Sequence, residues 1–439
     1  MTRDRGTPVA WVIAVVYALA YSVLGIARYR SYHASCDDGL FTQAIAASMH
    51  GMFNTPEGVS HFAFHFSPIL YALAPLIWLT RSAEALVVMA AIAGALTVPP
   101  IYAIARRRMN AAPALAVAAI AALYPALGGI AFTDFSENVF APAAAAWLVW
   151  AIDTRRLPAA TVFAIVCLAI KEDQALIMCA LGIVGAIYFS RRGEQRWATF
   201  CLSLAVVSIA TLAAFMAVVR PATHVWFPYP SIRDFYAGSP LAVAGGISSA
   251  QKAGYIFAIL LPLLGICLLS RAIVLAIPGL LECLASRVPL TFMVGQHYAA
   301  VWIPYVLVAF ALGIARLYRW SPLVASVALA ASLGVSLYVN VWASPNDWNA
   351  NISPRTASMD ELDRLSASLP QDAGITAFCQ VFAHLGMHPG ATTYATSPTR
   401  FVVLFPDRDD PSWDTRERAY MAKSYRLVRS AGSVELYER

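Results

Sequence analysis

The sequence predicts an all-α polytopic membrane protein of about 11 transmembrane helices, followed by a small extracytoplasmic α/β domain. Hydrophobic residues make up 59% of the 439 residues and charged residues only 13%, against about 25% charged residues in soluble domains. The mean hydropathy is +0.62. Apolar runs approaching the roughly 20 residues that a bilayer-spanning helix needs recur through position 343.

The basic residues set the predicted sidedness. They cluster between the apolar runs, as the positive-inside rule describes, so the net charge of +6 does not indicate a nucleic-acid partner. With a cytoplasmic N-terminus, all eight histidines and most acidic residues near the membrane fall on the outer side. We therefore expect a multi-pass membrane protein, and any chemistry that it carries out should take place on the outer face.

The predicted helices follow from the apolar runs in chain order. They lie at about 9–29, 84–105, 112–130, 138–152, 157–170, 174–190, 197–218 and 254–270, then in a short helix before a loop at 296–298, and at 299–315 and 321–343. The apolar run 67–80 is interpreted as a juxtamembrane or half-inserted helix within a first outer loop, 30–83. Pro99 and Pro100 predict a kink in the second helix.

The tail has the composition of a soluble domain, so we predict a membrane domain at 1–343 and an α/β domain at 344–439. A capping box of Ser358 and Glu361 marks a helix in SMDELDRLSASL. The segments GITAF, RFVVLF and SVELYE are typical of short strands, and DTRERAYMAKSY of a further helix.

The seven cysteines include no CxxC pair, and four of them lie within apolar runs. This pattern argues against a disulfide framework or a zinc site. A Cys36–Cys379 bridge is an alternative that the pattern does not favour.

Two adjacent carboxylates, Asp37 and Asp38, follow the first helix directly and precede an amphipathic segment. A carboxylate at the membrane boundary can act as a general base or hold a divalent cation, whereas the structural alternative is a helix N-cap. We assign the cap to Asp38, which leaves Asp37 for function. His61 and His65 are four residues apart, so on a helix they would share one face. Of the roles open to them, contact between His65 alone and a phosphate or an acceptor is the better candidate.

The triplet Lys171, Glu172 and Asp173 stands between two short apolar runs, so these charges must lie at or below the interface. A lysine beside two carboxylates suits a lipid-linked phosphate near an acid or base. The alternative is a neutralising salt bridge in a tight turn. Asp134 and Glu137 in TDFSEN are compatible with a site or with a capped, solvated loop.

Three further outer positions carry candidate ligands: Arg220, His297 and Tyr298. Arg220 suits a phosphate, but an arginine that reaches the interface is equally common. The loop 219–253 contains Trp226, Phe227 and Tyr229, which are typical of an aromatic belt or a lipid-facing lid.

The strings DDGLFTQ, HFSPIL, DFSENVF, KED and QHY, in this order and over nearly the whole chain, resemble the DUF2079 family of bacterial membrane proteins. That family looks like a divergent branch of the GT-C glycosyltransferases, which use polyprenyl-phosphate sugars on the extracytoplasmic face. The resemblance implies a GT-C-like membrane domain in the bacterial inner (plasma) membrane. It also implies a sugar transfer from such a donor, with Asp37 as general base. One departure is Ser136, where a histidine is expected before the acidic residue.

The predicted site follows from the motifs and the resemblance together. The catalytic candidates are Asp37, Glu172 and Asp173; the candidates for binding substrate or phosphate are Lys171, Arg220, His65, His297, Tyr298 and Glu137. No cofactor is required, although a divalent cation, Mg²⁺ or Mn²⁺, at Asp37 with Glu172 or Asp173 is compatible with the pattern. The expected partners are a polyprenyl-phosphate-linked sugar and membrane lipids. The alternatives are a transporter or lipid flippase, which would place its charges nearer the midplane, and an inactive scaffold, which Ser136 favours.

Overall fold

The computed structural model describes residues 4–220, 247–344, 347–393, 398–421 and 424–439. Most of the predicted lid, including Trp226, Phe227 and Tyr229, lies outside the described residues, as does His224.

The described part of the chain is mostly helical. Its membrane region contains α1 (Gly6–Arg30), α2 (Cys36–Ala46), α3 (Ala74–Thr80), α4 (Glu84–Ala95), α5 (Val98–Arg106), α6 (Ala111–Ala122), α7 (Pro125–Phe132), α8 (Ala141–Asp153), α9 (Leu157–Leu168), α10 (Asp173–Ser190), α11 (Gln195–Ala214), α12 (Ser249–Leu260), α13 (Ile277–Ala285), α14 (Ile303–Trp320) and α15 (Pro322–Trp342). Short 3-10 turns connect several of them.

Six of the described helices are long and apolar enough to cross a membrane, or seven if the pair α6 and α7, bent by 44°, counts as one span. The predicted count of about 11 is therefore not confirmed. The difference lies in apolar segments that are short, such as α8 and α9, or broken. The predicted helix at 254–270 is α12 followed by 3-10 turns at Leu261–Leu263 and Ile266–Leu269. Hydropathy measures how apolar a segment is, not whether its backbone continues as one helix.

Two local predictions in the membrane region are confirmed. The second predicted helix is interrupted at Leu96 and Thr97, immediately before Pro99 and Pro100, although Glu84–Arg106 remains one candidate span. The run 67–80 forms the short apolar helix Pro68–Thr80, while its juxtamembrane or half-inserted position stays a prediction. Proline explains both features, because it lacks an N–H group for the helix ladder and starts helices readily.

The C-terminal region contains a five-stranded sheet, as its strand-like segments predict. After the two short strands β1 (Phe53–Asn54) and β2 (Val59–Ser60) of the first loop come β3 (Ile375–Ala377), β4 (Ala391–Thr392), β5 (Phe401–Leu404), β6 (Arg426–Ala431) and β7 (Val434–Glu438). The order is β4-β3-β5-β7-β6, with β3 parallel to β4 and β5 and with β7 antiparallel to β5 and β6. The helices of this region are α16 (Trp348–Asn351), α17 (Ala357–Ser368), α18 (Cys379–Phe382) and α19 (Pro411–Met421).

The capping box predicted for α17 is wrong by two residues. Thr356 is the N-cap, and its side chain accepts a hydrogen bond from the N–H of Met359. The Ser358 hydroxyl instead accepts from the N–H of Ser433, 3.2 Å away. The Ser358 hydroxyl, which the local pattern assigns to the helix end, therefore binds the distant residue Ser433 instead.

The C-terminal region and α2 share one hydrophobic core, in which Phe41 and Ile45 of α2 are buried with Ile375 and Phe382. A disulfide joins Cys36 to Cys379, with their Cα atoms 4.3 Å apart. The bridge that the cysteine pattern does not favour is therefore the one that the structure shows. The cysteines are 343 residues apart in sequence, so only the tertiary fold brings them together.

The contact between α2 and α18 is close enough to require glycine. A Cβ atom on Gly39 would lie 2.7 Å from both the ring and the carbonyl oxygen of Phe382. The next part of the DDGLFTQ motif also binds the C-terminal region, because the Gln43 amide donates to the carbonyl of His388 at 2.9 Å. Much of this motif therefore docks the C-terminal region onto the first loop.

Candidate active site

Asp37 and Asp38 lie in the first turn of α2, but neither residue is its N-cap. That position is held by Ser35, whose side chain makes no capping hydrogen bond. Asp38 is buried, and its Oδ1 accepts from the N–H of Phe135 at 2.8 Å. The assignment of Asp38 as the cap is therefore wrong, because its carboxylate binds the loop after α7 instead.

Asp37 is the partly exposed member of the pair. Within the described residues, no hydrogen bond or ion pair holds its carboxylate. Burial, together with the negative charges of Asp134 and Glu137, raises the pKa of Asp37 to about 7, against the opposing effect of Lys171. A carboxylate with this pKa can accept a proton near neutral pH and is not committed to a structural partner.

Lys171 and Glu137 form a buried ion pair across two loops, with 3.2 Å between Nζ and Oε1 and side-chain exposures of 10% and 0%. Burial alone would raise the pKa of Glu137, but Lys171 and the nearby His65 and His61 hold it well below its usual range. Glu137 belongs to the 3-10 turn Glu137–Phe140, after the α7 end, and Lys171 follows α9. The two motifs TDFSEN and KED therefore meet at one point.

A second pair joins the first loop to the same triplet. His65 Nδ1 lies 2.8 Å from Oε1 of Glu172, and the N–H of Phe66 donates to Oε2 at 2.8 Å. Burial opposes ionisation, but His65 and Lys171 lower the pKa of Glu172 to about 2. Both carboxylate oxygens are occupied, so Glu172 fixes the orientation of His65.

A neighbouring histidine has its own carboxylate. His61 Nδ1 lies 3.0 Å from Oε1 of Glu57, and both side chains are 2% exposed. Burial would lower the pKa of His61, but Glu57 raises it. The rings of His61 and His65 are 5.5 Å apart. Sequence reasoning missed Glu57, although its position four residues before His61 is the spacing of a helical pair.

His297 and Tyr298 begin the 3-10 turn His297–Val301, and their rings are 4.2 Å apart. Burial and the charge of Lys171 lower the pKa of His297 to about 4, so this ring is neutral at pH 7. The turn approaches α7 closely, since a Cβ atom on Gly129 would lie 2.2 Å from Cα of Gly295. Glycine at both positions lets the QHY motif reach the cluster.

Asp173 begins α10, and its Oδ1 accepts from the Gln174 amide at 3.1 Å. Arg220 follows the π-helical turn Phe215–Val219, and its guanidinium lies 3.9 Å from Sδ of Met216. Phe215 of that turn packs against Phe66, with 5.9 Å between ring centroids. The turn thus lies beside the cluster, while a phosphate contact of Arg220 stays a prediction.

Most of the predicted residues lie together at one end of the helices. An ion pair between Arg28 and Asp134, 2.8 Å apart, lies at the edge of this cluster. Among the described residues, no group of three or more histidine, cysteine, aspartate and glutamate side chains converges as metal ligands. Each oxygen of Glu172 already accepts one hydrogen bond. A cation site on Asp37 stays a prediction.

The family model of the predicted membrane proteins called DUF2079 matches residues 28–396. The chain belongs to the DUF2079 family. This match confirms the resemblance carried by the five motifs. A comparison with curated proteins gives no match.

Solved structures show the fold. The chain is similar to ArnT from Cupriavidus metallidurans bound to undecaprenyl phosphate, with a TM-score of 0.62, 12% identity and 97% of each chain covered. The apo state of the same protein gives a TM-score of 0.58 and 11% identity over 97% of this chain and 98% of that chain. The DUF2079 protein is thus a multi-pass membrane protein with an ArnT-like fold.

Proposed function

We propose that this DUF2079 protein is a membrane glycosyltransferase. It moves a sugar from a polyprenyl-phosphate donor to an acceptor hydroxyl on the extracytoplasmic face. The observation that carries the proposal is an uncommitted carboxylate, Asp37, beside the buried Lys171–Glu137 pair. The ArnT-like fold supports it, because the similar ArnT structure has undecaprenyl phosphate bound.

The reaction exchanges one bond to the sugar for another. The acceptor oxygen forms a bond to the anomeric carbon as the bond from that carbon to the phosphate oxygen breaks. Asp37 takes the acceptor proton. The donor phosphodiester carries one negative charge and the released polyprenyl phosphate carries two, so one further negative charge develops on the leaving group. Positive charge close to that phosphate therefore stabilises the transition state more than the bound donor.

Asp37 suits the role of base. It is partly exposed, so an acceptor hydroxyl can reach it. Burial and neighbouring carboxylates raise its pKa to about 7, which strengthens it as a base relative to an ordinary aspartate. Below that pH the carboxylate is increasingly protonated, and transfer slows.

Lys171 is the proposed phosphate ligand, held in place by Glu137 at 3.2 Å. His65, oriented by Glu172, and neutral His297 with Tyr298 donate hydrogen bonds to the same phosphate. Glu172 acts as a positioning residue, since both of its oxygens already accept hydrogen bonds. We assign the further positive charge to Arg220. Asp173, at the start of α10, is the remaining carboxylate of the proposed site.

The polyprenyl chain needs an apolar surface beside this site. The helix Pro68–Thr80 directly follows His65 and Phe66 and exposes Tyr71, Trp78 and Leu79. We assign it to the lipid chain. We assign acceptor binding to the C-terminal region, which packs against α2.

The test incubates purified protein in nanodiscs with a panel of polyprenyl-phosphate monosaccharides and with extracts that supply acceptors, and it follows released polyprenyl phosphate by mass spectrometry. Wild type is compared with Asp37→Asn and with Asp372→Asn, which removes an exposed carboxylate in the C-terminal region. We expect release from one donor that Asp37→Asn reduces by roughly 100-fold or more, while Asp372→Asn behaves as wild type.

Two results would contradict the proposal. Release that is equal in wild type and Asp37→Asn would remove Asp37 as the base. A folded wild-type protein that binds a donor and releases nothing with any acceptor extract would favour the transporter or scaffold alternatives.

A further inference from the structure

A second charged feature lies at the opposite end of the helices from the candidate site. A cavity of about 570 Å³ is lined there by four arginines, Arg108, Arg271, Arg316 and Arg319, together with Leu269 and Leu312. These arginines come from the ends of α5 and α14 and from the 3-10 turn Arg271–Ala276. These three segments are far apart in sequence, so only the fold brings their arginines to one cavity.

The charges around this cavity are poorly balanced. Arg108 pairs with Asp153, with 3.0 Å between Nη1 and Oδ2, but Asp153 also binds Arg107 at 3.0 Å. Within the described residues, Arg271, Arg316 and Arg319 have no acidic partner within ion-pair distance. The cavity therefore has a strong positive potential, and no acidic side chain is among the described residues that line it.

The arrangement of the arginines differs from a loose cytoplasmic charge cluster. Arg316 and Arg319 are three residues apart on α14, so they share a helix face with Leu312. Arg316 is fixed further by donating to the carbonyl of Leu269 at 3.1 Å. The positive-inside rule explains arginines at this end, but it does not require them to surround a cavity.

The surroundings indicate the kind of anion. Leu268 and Leu269, next to Arg271, are exposed on the outer surface of the helices. Exposed leucines beside a basic cavity suit acyl chains, whereas a free phosphate gains nothing from them. Basic pockets between membrane helices on the cytoplasmic side bind anionic lipid headgroups.

We propose that this arginine-lined cavity binds the phosphate headgroup of an anionic phospholipid from the leaflet at the basic end of the helices. The guanidinium groups of Arg271, Arg316 and Arg319 hold the phosphate. The acyl chains lie along Leu268 and Leu269. This site is independent of the proposed sugar transfer.

The test measures lipid binding by native mass spectrometry of the full chain in a zwitterionic detergent, with phosphatidylglycerol, phosphatidylcholine and inorganic phosphate as probes. Arg271→Gln with Arg319→Gln removes two ligands. Arg191→Gln with Arg192→Gln is the matched control, because these exposed arginines do not line the cavity. We expect the first pair to weaken phosphatidylglycerol binding roughly 30-fold, at about fivefold for each basic residue. The control should change it less than threefold.

A variant with two lysines controls for the possibility that the glutamine variant fails to fold. Arg271→Lys with Arg319→Lys keeps the charge, so it should bind phosphatidylglycerol within about fivefold of wild type. Equal loss in the control pair, or equal binding of phosphatidylcholine, would overturn the proposal. Displacement of the lipid by equimolar inorganic phosphate would also overturn it and would assign the cavity to a free anion.

Discussion

Replacing Lys171 by methionine tests whether the buried ion pair with Glu137 holds the candidate site together. Methionine has a similar length but no charge, so the substitution leaves the Glu137 carboxylate, with 0% side-chain exposure, without its 3.2 Å partner. Removing one member of a buried pair costs about 3–5 kcal/mol, because the remaining charge keeps its desolvation cost. At about 2 °C for each kcal/mol, the unfolding temperature should fall by ~6–10 °C.

The pH dependence of this effect separates it from simple loss of packing. In the wild type Lys171 keeps the pKa of Glu137 low, so the stabilisation is fully present above the ordinary pKa of glutamate and is lost only as the pH falls through that lower pKa. In Lys171→Met burial raises the pKa of Glu137. The orphaned carboxylate then takes up a proton, and the destabilisation should shrink between pH 8 and pH 5.

The assay is thermal unfolding in detergent at both pH values. Lys252→Met is the matched control, because Lys252 donates to the carbonyl of Leu284 at 2.7 Å and has no ion pair in the described part of the chain. It should lose only about 1 kcal/mol. The double variant of Lys171→Met with Glu137→Gln should be more stable than Lys171→Met alone. Equal losses for Lys171→Met and Lys252→Met, without a pH effect, would refute the reasoning.

Three other outcomes follow from named contacts. Activity should rise with pH through an inflection near pH 7, the pKa of Asp37, and a pH-rate profile that is flat from pH 5.5 to 8.5 would contradict this carboxylate as the base. Replacing Cys36 and Cys379 by serine should lower stability by about 3–5 kcal/mol and speed proteolysis of the C-terminal region, since the bridge closes a loop of 343 residues; unchanged proteolysis would argue against the tether. Gly129→Ala should lower the yield of folded protein, because its Cβ would lie 2.2 Å from Cα of Gly295, whereas Gly334→Ala, with open space around it, should be tolerated.

The sequence motifs predict which residues belong to the candidate site better than they predict the role of each residue. DDGLFTQ, KED and QHY were selected because polar residues at a membrane boundary need a reason, and the structure brings residues of all three near Lys171. The role of each residue within a motif is harder to predict from the sequence. Asp38 was assigned to a helix cap, but it binds the N–H of Phe135, 97 residues away. Local patterns predict local hydrogen bonds, and a distant partner can replace them.

What the sequence by itself determined is the membrane class, the position of most helices and the C-terminal strands. The predicted helices at 174–190 and 321–343 correspond to Asp173–Ser190 and Pro322–Trp342. Apolar length and short-range periodicity define such elements, and both are properties of neighbouring residues.

Only the tertiary structure decided the pairings. His65 meets Glu172 across 107 residues, and Cys36 meets Cys379 across 343. It also decided which apolar segments continue as one helix and which break into short turns, as after α12. These outcomes depend on packing between distant segments and on the cost of leaving buried charges and polar groups without partners. The sequence therefore identified most residues of the candidate site, while the fold assigned their partners.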